Sequence, residues 1–291
     1  KAGLPPTPLK LGRATTAELV NALSNSNQWQ RLTAQRLLVE RQDKTAVPLL
    51  KNLAAHGSSP LGRLHALWTL QGLGALEESL VLQALKDPQP DIRENALILA
   101  EQFEPSKPSP LPARILALAD DPSPRVRFQA ALTIGELEVP EAPAALLNIL
   151  RRDYGFRWSR RAVLSSLRTG APELFRSLLT TSDFHQTVDE NKLALIRELA
   201  DLIGARAGTN EAGGVALVLT TLADANLSEP WAVNALAGLQ SGLARQPAPV
   251  AISPAMTDAI QTLESGKSSA LLTASWKLCR TLGLPETESQ R

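Results

Sequence analysis

A small residue recurs at one point of successive apolar helical stretches in the first 170 residues of the chain. The residues are Ala34, Ala66, Ala96, Ala130 and Ala162, at intervals of 32, 30, 34 and 32 residues. An internal period of this length is typical of stacked helical pairs. It predicts a fold made of repeats and a function that lies on a surface shared by several of them.

An arginine precedes the alanine by three residues in each of the first four repeats. These arginines are Arg31, Arg63, Arg93 and Arg127, whereas Ser159 stands at this position in the fifth repeat. The period loosens after Ala162. The sequence therefore predicts a regular scaffold up to about residue 150 and a specific contact near its first break.

Apolar residues follow helical periodicity almost throughout, without the alternation of a strand. We predict an all-α fold, a right-handed α–α superhelix of about eight helix pairs over residues 15–282. A sub-boundary near residue 170 is left open. The proline-rich residues 1–14 are predicted to form a linker tail, and residues 283–291 a polar tail.

The composition narrows the classes of function. A hydrophobic content of 44% and a charged content of 20% are ordinary for a folded protein, and the net charge of +1 argues against dependence on nucleic-acid phosphates. The single cysteine, Cys279, can form no disulfide within the chain and is predicted to be buried and unreactive. The three histidines lack metal-ligand spacing, and no apolar run has the length of a membrane span. No metal, cofactor or catalytic residue is predicted.

Two turns carry the same local motif, 34 residues apart: Asp87-Pro88-Gln89-Pro90 and Asp121-Pro122-Ser123-Pro124. The aspartate can cap the turn, and proline suits a helix start because its missing N–H would be unpaired there. An arginine, Arg93 or Arg127, follows six residues after each aspartate. We expect each arginine to reach back to the aspartate of its own or an adjacent repeat.

The residue just before the repeated alanine is polar in every repeat. This set, called the ridge below, comprises Thr33, His65, Asn95, Gln129 and Arg161. We predict that the ridge lies on the exposed face of the second helix of each pair and binds a partner. The residues one and two positions after the alanine are apolar from the second repeat onward, which predicts that both positions, including that of Trp68, face the core.

The pattern Asp-Pro-x-Pro-x-x-Arg-x-x-Ala of repeats three and four resembles the HEAT repeat. This resemblance implies a HEAT- or armadillo-type solenoid whose second helices line a concave surface. It also implies an Asp–Arg ladder that links the repeats. By match to the motif, the ladder residues are Asp87, Arg93, Asp121 and Arg127.

A narrower resemblance is carried by residues 29–43, 64–74 and 120–129. They are similar to the helical-repeat region of large bacterial secreted or membrane-associated dehydrogenase-like proteins. Those proteins join a sorbosone/glucose-dehydrogenase-like propeller, a HEAT region and a cytochrome c module. The chain begins at Lys1, its only methionine is Met256, and it has no C-x-x-C-H, so we expect a segment whose redox chemistry belongs to other parts of a parent protein. The resemblance implies a periplasmic or extracytoplasmic location, with the cytoplasm left open.

Residues 151–161 hold five arginines and three aromatic residues. One interpretation is an anion or nucleic-acid surface, with Arg157, Trp158 and Arg160 at its edge, where aromatic rings stack on bases and arginines contact phosphates. The other is a loop between repeats, in which Tyr154, Phe156 and Trp158 pack and the arginines pair with acidic residues or solvent. The first interpretation fits the DNA glycosylases built from HEAT-like repeats.

The favoured function is a non-enzymatic scaffold that holds a protein partner or a neighbouring domain of the same parent chain. The alternative is a HEAT-like nucleic-acid-binding protein or DNA glycosylase that uses residues 151–168. A bilin-lyase-like HEAT protein is a third hypothesis. It requires an open concave pocket with acid–base groups, which the sequence does not identify.

Overall fold

The computed structural model describes residues 10–103, 108–180, 183–208, 213–224, 227–265 and 268–285. Within these ranges the chain forms α-helices and short 3-10 helices and no strand. It divides into two compact units, Lys1–Val139 (unit 1) and Pro140–Arg291 (unit 2). The division falls between Val139 and Pro140. The sequence analysis leaves open a boundary near residue 170 instead.

The described residues of unit 1 form four consecutive helix pairs. They are α1 (Thr16–Ala22) with α2 (Gln28–Arg41), α3 (Ala46–His56) with α4 (Pro60–Gly72), α5 (Glu78–Ala84) with α6 (Pro90–Ala100), and α7 (Leu111–Ala117) with α8 (Pro124–Gly135). The first helices contact one another in chain order, and so do the second helices. Unit 1 is therefore a two-layer stack of helix pairs.

In unit 2 the described residues form another four helix pairs. They are α9 (Ala142–Asp153) with α10 (Arg157–Ser166), α11 (Ala171–Thr180) with α12 (Glu190–Ala205), α13 (Gly214–Asp224) with α14 (Glu229–Leu243), and α15 (Pro254–Glu264) with α16 (Ser269–Leu282). The second helices α10, α12, α14 and α16 contact one another in turn. The predicted all-α fold of about eight helix pairs, stacked as in a HEAT-type α-solenoid, is confirmed.

Proline and short polar side chains set the helix starts. Pro90 and Pro124 are the first residues of α6 and α8, as the turn motif predicts. The carboxylate of Asp87 accepts a hydrogen bond from the backbone N–H of Gln89, and Asp121 accepts one from Ser123, each at 2.8–2.9 Å. The aspartates therefore order the turn that leads into each second helix.

The predicted linker tail is packed in the part that the structure describes. Leu11 is buried, and the Arg41 guanidinium donates hydrogen bonds to the carbonyl oxygens of Gly12 and Ala14. These contacts hold residues 11–14 against the end of α2. Residues 1–9 of this tail and residues 286–291 of the polar tail lie outside the described residues.

The repeated alanines lie in the core, as predicted. Ala34, Ala66, Ala96 and Ala130 are fully buried and Ala162 nearly so. Their small side chains let neighbouring second helices approach closely. The next position is also buried from the second repeat onward, at Leu67, Leu97, Ala131 and Val163.

The prediction that the position two residues after the alanine faces the core is wrong for repeats two to four and right for Leu164 in the fifth. Ile98 is 37% exposed, Trp68 and Leu132 are half-buried, and Leu164 is buried. Two residues correspond to about 200° around a helix, so this position lies nearly opposite the buried alanine. Trp68, Ile98 and Leu132 therefore belong to the solvent-facing side of the second helices, called the second-helix face below.

Glycines bring α12 and α14 into unusually close contact in unit 2. A Cβ atom on Gly238 would overlap the carbonyl oxygen of Arg197, and one on Gly242 would overlap that of Asp201. A Cβ on Gly204 would lie 2.6 Å from the carbonyl oxygen of Leu239. Only glycine allows the two backbones to approach this closely, and the sequence analysis did not identify this contact.

Candidate protein-interaction surface

Ion pairs that are buried or largely buried link the second helices of unit 1 to the turns of the following repeats. Arg93 on α6 binds the carboxylate of Asp121 through two hydrogen bonds of 2.6 and 2.7 Å. Arg63 on α4 binds Asp87 in the same bidentate way, at 2.8 and 2.9 Å. Each aspartate thus joins the arginine of the preceding repeat to the turn of its own repeat. The ladder reaches back to the second repeat, where the sequence has no Asp-Pro pair.

Each ladder arginine also fixes the turn before its own helix. Arg93 donates to the carbonyl oxygen of Asp87 at 2.8 Å, and Arg127 donates to that of Asp121 at 2.6 Å, both six residues earlier. Arg31 and Arg63 make the same bond to Asn25 and Gly57. The hydrogen bonds to Asp121 raise the pKa of Arg93, although burial acts in the opposite direction. These groups hold the repeats together and present no free charge for a ligand.

Arg160 is the ladder arginine of the fifth repeat. It is 5% exposed, donates to the carbonyl oxygen of Tyr154 six residues earlier, and forms an ion pair of 3.0 Å with Glu198 on α12. The sequence interpretation that the arginine is lost at Ser159 is therefore wrong. Arg160 serves packing between repeats and does not lie at the edge of an open binding surface, because its guanidinium is already bonded on several sides.

The register of the fifth repeat consequently shifts by one residue. Val163, three residues after Arg160, takes the position of the repeated alanine and is fully buried. Arg161 then no longer aligns with the ridge, which explains why it is exposed whereas Thr33, His65, Asn95 and Gln129 are half-buried. The shift follows from the position of the buried guanidinium, which the alanine spacing does not reveal.

The ridge of unit 1 is hydrogen-bonded to neighbouring repeats. The Nε1–H of Trp68 on α4 donates to Oδ1 of Asn95 on α6 at 3.0 Å. Gln129 donates to the hydroxyl of Thr133 at 3.3 Å, and that hydroxyl donates to Glu101, which follows α6, at 2.7 Å. These bonds occupy hydrogen-bonding groups of Asn95 and Gln129 that a partner could otherwise use. A role of the ridge in binding stays a prediction.

His65 joins the first two second helices through both ring nitrogens. Its Nδ1 lies 2.7 Å from Oε1 of Gln35, and its Nε2 accepts a hydrogen bond of 3.3 Å from Arg31. Because Nε2 accepts, the ring is neutral with its proton on Nδ1. Burial lowers the pKa of His65, and the charge of Arg31 lowers it further. His65 thus takes the place of an aspartate as the partner of Arg31, which the sequence analysis missed.

Large apolar side chains are exposed on the second-helix face of unit 1. Trp29 on α2 is 64% exposed, and Leu32 on α2, Leu61 on α4 and Ile98 on α6 are exposed as well. Trp29 and Leu61 lie five residues before their repeated alanines, and Ile98 lies two residues after its own. These offsets point to the same side of a helix. These four exposed residues, called the apolar patch below, therefore lie on one side of their helices, although Asp91 and Arg125 take the position of Trp29 in repeats three and four.

The aromatic residues of 151–161 divide into a packed ring and two exposed rings. Tyr154 packs edge-on against Phe184 with their centroids 5.6 Å apart. Phe156 and Trp158 are both about two-thirds exposed, and Arg157 and Arg161 lie 5.8 and 5.5 Å from the Trp158 ring centre. The interpretation that all three rings pack in a loop is therefore wrong for Phe156 and Trp158. In the shifted register Trp158 occupies the same position as Trp29.

A groove of about 640 Å³ lies on the second-helix face of unit 2, between α10, α12 and α14. Its lining combines apolar, cationic and anionic side chains: Arg161, Leu164, Ser165, Ala194, Arg197, Glu198, Asp201, Leu202, Ala205, Gly238 and Arg245. Glu198 is paired with Arg160, and Asp201 with Arg245 at 2.6 Å. Among the described residues neither Arg161 nor Arg197 has an ion pair.

The charges of the groove are coupled. Burial raises the pKa of Asp201, but hydrogen bonds from Arg245 and Ser241 and the charges of Arg245 and Arg197 outweigh it, so that the pKa lies below its usual value. The same carboxylate raises the pKa of Arg245. Asp201 therefore stays ionised, and the groove keeps a positive excess on Arg161 and Arg197.

Clusters of metal-ligating side chains and helices that could span a membrane are both absent from the described ranges. No three His, Cys, Asp or Glu side chains cluster in a way that would hold a metal ion among the described residues. No helix in these ranges is both long and apolar enough to cross a membrane. Cys279 is buried in α16, as predicted.

Comparison with known proteins identifies the repeat type. Residues 78–168, about a third of the chain, match the family model of HEAT repeats. No curated protein sequence matches the chain. The crystal structure of an engineered protein aligns with 92% of this chain and 96% of its own at 16% identity, with a TM-score of 0.29. Residues 78–168 are therefore similar to HEAT repeats, and they lie within an all-α stack of helix pairs.

Proposed function

We propose that this chain is a non-enzymatic protein-interaction scaffold whose second-helix face contacts a partner. The observation that carries the proposal is the exposure of Trp29, Leu32, Leu61 and Ile98 at related positions of successive repeats. Contiguous apolar side chains on the surface of a folded protein are typical of contact sites for other proteins. HEAT repeats commonly mediate such contacts, which agrees with the match over residues 78–168.

The ladder and the ridge support a surface of fixed shape. Arg63, Arg93 and Arg160 are used in bidentate or multiple bonds between repeats. His65 is neutral and bonded at both nitrogens, so it is poorly placed to transfer a proton to a substrate. These bonds favour a rigid platform over acid–base catalysis at the ridge.

Site-specific photo-crosslinking in the native cell tests the scaffold proposal. A photoreactive amino acid at Ile98, on the second-helix face of α6, should cross-link one defined protein or neighbouring domain. The matched control is Leu49 on α3, which is similarly exposed but lies in the layer of first helices. The proposal is contradicted if Ile98 yields no product, or the same products as Leu49.

We further propose that the scaffold belongs to a larger bacterial dehydrogenase-like protein outside the cytoplasm. The support is the sequence resemblance in residues 29–43, 64–74 and 120–129. The reading frame around this segment tests it. A propeller upstream or a C-x-x-C-H motif downstream is expected, and the absence of both would contradict this part of the proposal.

Nucleic-acid binding is the second candidate function, favoured by the exposure of Phe156 and Trp158 beside Arg157. Exposed aromatic rings next to arginines can stack on bases while the guanidinium groups contact phosphates. A fluorescence titration with duplex and single-stranded DNA at low salt tests it. Binding that Trp158→Ala and Arg157→Gln each weaken would support this candidate, and no binding would eliminate it.

A further inference from the structure

The groove of unit 2 contains, among the described residues, both paired and unpaired arginines, whereas the arginines of the ladder are all bonded to other repeats or turns. The ladder arginine Arg160 neutralises Glu198, and Arg245 neutralises Asp201. Arg161 and Arg197 are exposed on neighbouring helices and lack ion pairs among the described residues. Two arginines on one groove therefore remain available to an anionic ligand.

The rest of the groove is suited to a protein segment. Leu164, Ala194, Leu202 and Ala205 contribute apolar surface between the charged groups. Glu198 and Asp201 lie on the same helix as Arg197, so that paired carboxylates interrupt the positive charge that a continuous line of phosphates would require. A peptide can place isolated carboxylates on the arginines and apolar side chains between them, which a nucleic-acid backbone cannot do.

Glycine packing fixes the geometry of this groove. Gly238 lies in its floor, and its close contact with the backbone at Arg197 holds α12 against α14. The bond between Arg160 and Glu198 similarly holds α10 near α12. The spacing of Arg161 and Arg197 is thus set by backbone contacts and a buried ion pair, so that a ligand does not have to order the helices when it binds.

We propose that the groove of unit 2 binds an acidic, leucine-containing segment of a partner protein, with carboxylates on Arg161 and Arg197 and apolar side chains on Leu164 and Leu202. Carboxylates form charge-assisted, often bidentate, hydrogen bonds with arginine. This inference rests on the proposed scaffold function and names the chemistry of one partner segment. It concerns unit 2, whereas the crosslinking test above uses Ile98 in unit 1.

Fluorescence anisotropy with the full chain tests the inference. The probe is a short labelled peptide in which glutamates alternate with leucines, and the matched probe carries glutamine at every glutamate. Binding of the acidic probe should weaken about tenfold in each of Arg161→Gln and Arg197→Gln, and by more in the double variant. Arg280→Gln is the control because Arg280 is an exposed arginine of unit 2 outside the groove lining.

Asp201→Asn gives a test of opposite sign. This substitution removes one negative charge and releases Arg245, so the acidic probe should bind several-fold more tightly. Thermal unfolding of each variant shows whether the fold is retained, and tighter binding by Asp201→Asn cannot result from unfolding. Equal binding of the acidic and the glutamine probes, or no effect of the two arginine substitutions, would overturn the inference.

The other outcomes distinguish the inference from its alternatives. If DNA binds more tightly than the peptide and Arg157→Gln weakens it, a nucleic-acid surface replaces the peptide groove. If no peptide binds but Ile98 still cross-links one partner, the groove inference fails and the scaffold proposal stands. If Ile98 yields no partner but the acidic probe binds as expected, the apolar patch fails as the contact surface while the groove retains its ligand chemistry.

Discussion

Arg160 donates a hydrogen bond of 2.7 Å to the carbonyl oxygen of Tyr154, six residues before it. Arg31, Arg63, Arg93 and Arg127 make the same bond six residues back along the chain. The second partner varies: His65 for Arg31, an aspartate for Arg63 and Arg93, and Glu198 for Arg160. The bond that recurs in every one of these repeats is therefore the one that closes the turn. The bond to the next repeat can use different acceptors.

Arg93→Ala should destabilise unit 1 strongly. The substitution leaves the buried carboxylate of Asp121 without its main charge partner, and loss of one member of a buried pair costs about 3 kcal/mol. Urea unfolding followed by circular dichroism measures the change. Arg125→Ala is the control: Arg125 is exposed and pairs with Asp91 and Glu94, so its loss should cost about 1 kcal/mol or less. Similar effects of the two substitutions would contradict the structural role of Arg93.

Arg160→Gln should lower the free energy of unfolding by about 2 kcal/mol, because several hydrogen bonds to Tyr154 and Glu198 are lost together. Arg157→Gln should change it by less than about 0.5 kcal/mol, since Arg157 is exposed. Thermal unfolding of the two variants provides the comparison. An unchanged melting temperature for Arg160→Gln would contradict the role of Arg160 in holding the repeats together.

Gly238→Ala and Gly242→Ala should each destabilise unit 2 by about 2–3 kcal/mol. The added methyl group overlaps the backbone carbonyl of Arg197 or Asp201, and α12 and α14 must separate to relieve the overlap. Gly155→Ala serves as the control, because no heavy atom lies within 4 Å of a Cβ built there. If both glycine variants have the same melting temperature as the native chain, the close approach of these helices is not required for stability.

His65 should make the stability of unit 1 depend on pH. Burial, and then the charge of Arg31, lower the pKa of His65, so the unfolded chain binds a proton more readily than the folded chain. The contribution to stability is complete above the ordinary pKa of 6.5 and is lost as the pH falls through the lower folded pKa. The native chain should therefore lose stability on acidification.

A comparison with His65→Asn isolates this effect. Asn95 occupies the ridge position of the next repeat, so asparagine suits the site. The melting temperature should fall more in the native chain than in the variant between about pH 7.5 and about pH 5. The other histidines are common to both proteins and cancel in the difference. If the melting temperatures of the two proteins fall in parallel with pH, His65 has the same pKa in the folded and the unfolded chain, which would contradict the prediction.

Local pattern was sufficient to predict much of unit 1. The alanine period located the buried column, and the Asp-Pro-x-Pro turns located the starts of α6 and α8. Both are local properties: a small side chain permits close packing, and proline suits the first helical turn. The partners of Arg31 and Arg63 could not be predicted in the same way. Each partner lies in the next repeat, and the two are different residue types, His65 and Asp87.

The sequence by itself determined the all-α class, the repeat length and the register of the first four repeats, because these depend on spacing along one helix. The tertiary structure alone decided that Ile98 faces solvent, that Arg160 replaces Ser159 in the ladder, and that Gly238 brings α12 against α14. These features depend on which atoms of distant helices meet. An arginine looks the same in a sequence whether it closes a buried turn, as Arg160 does, or remains exposed beside a groove, as Arg161 does.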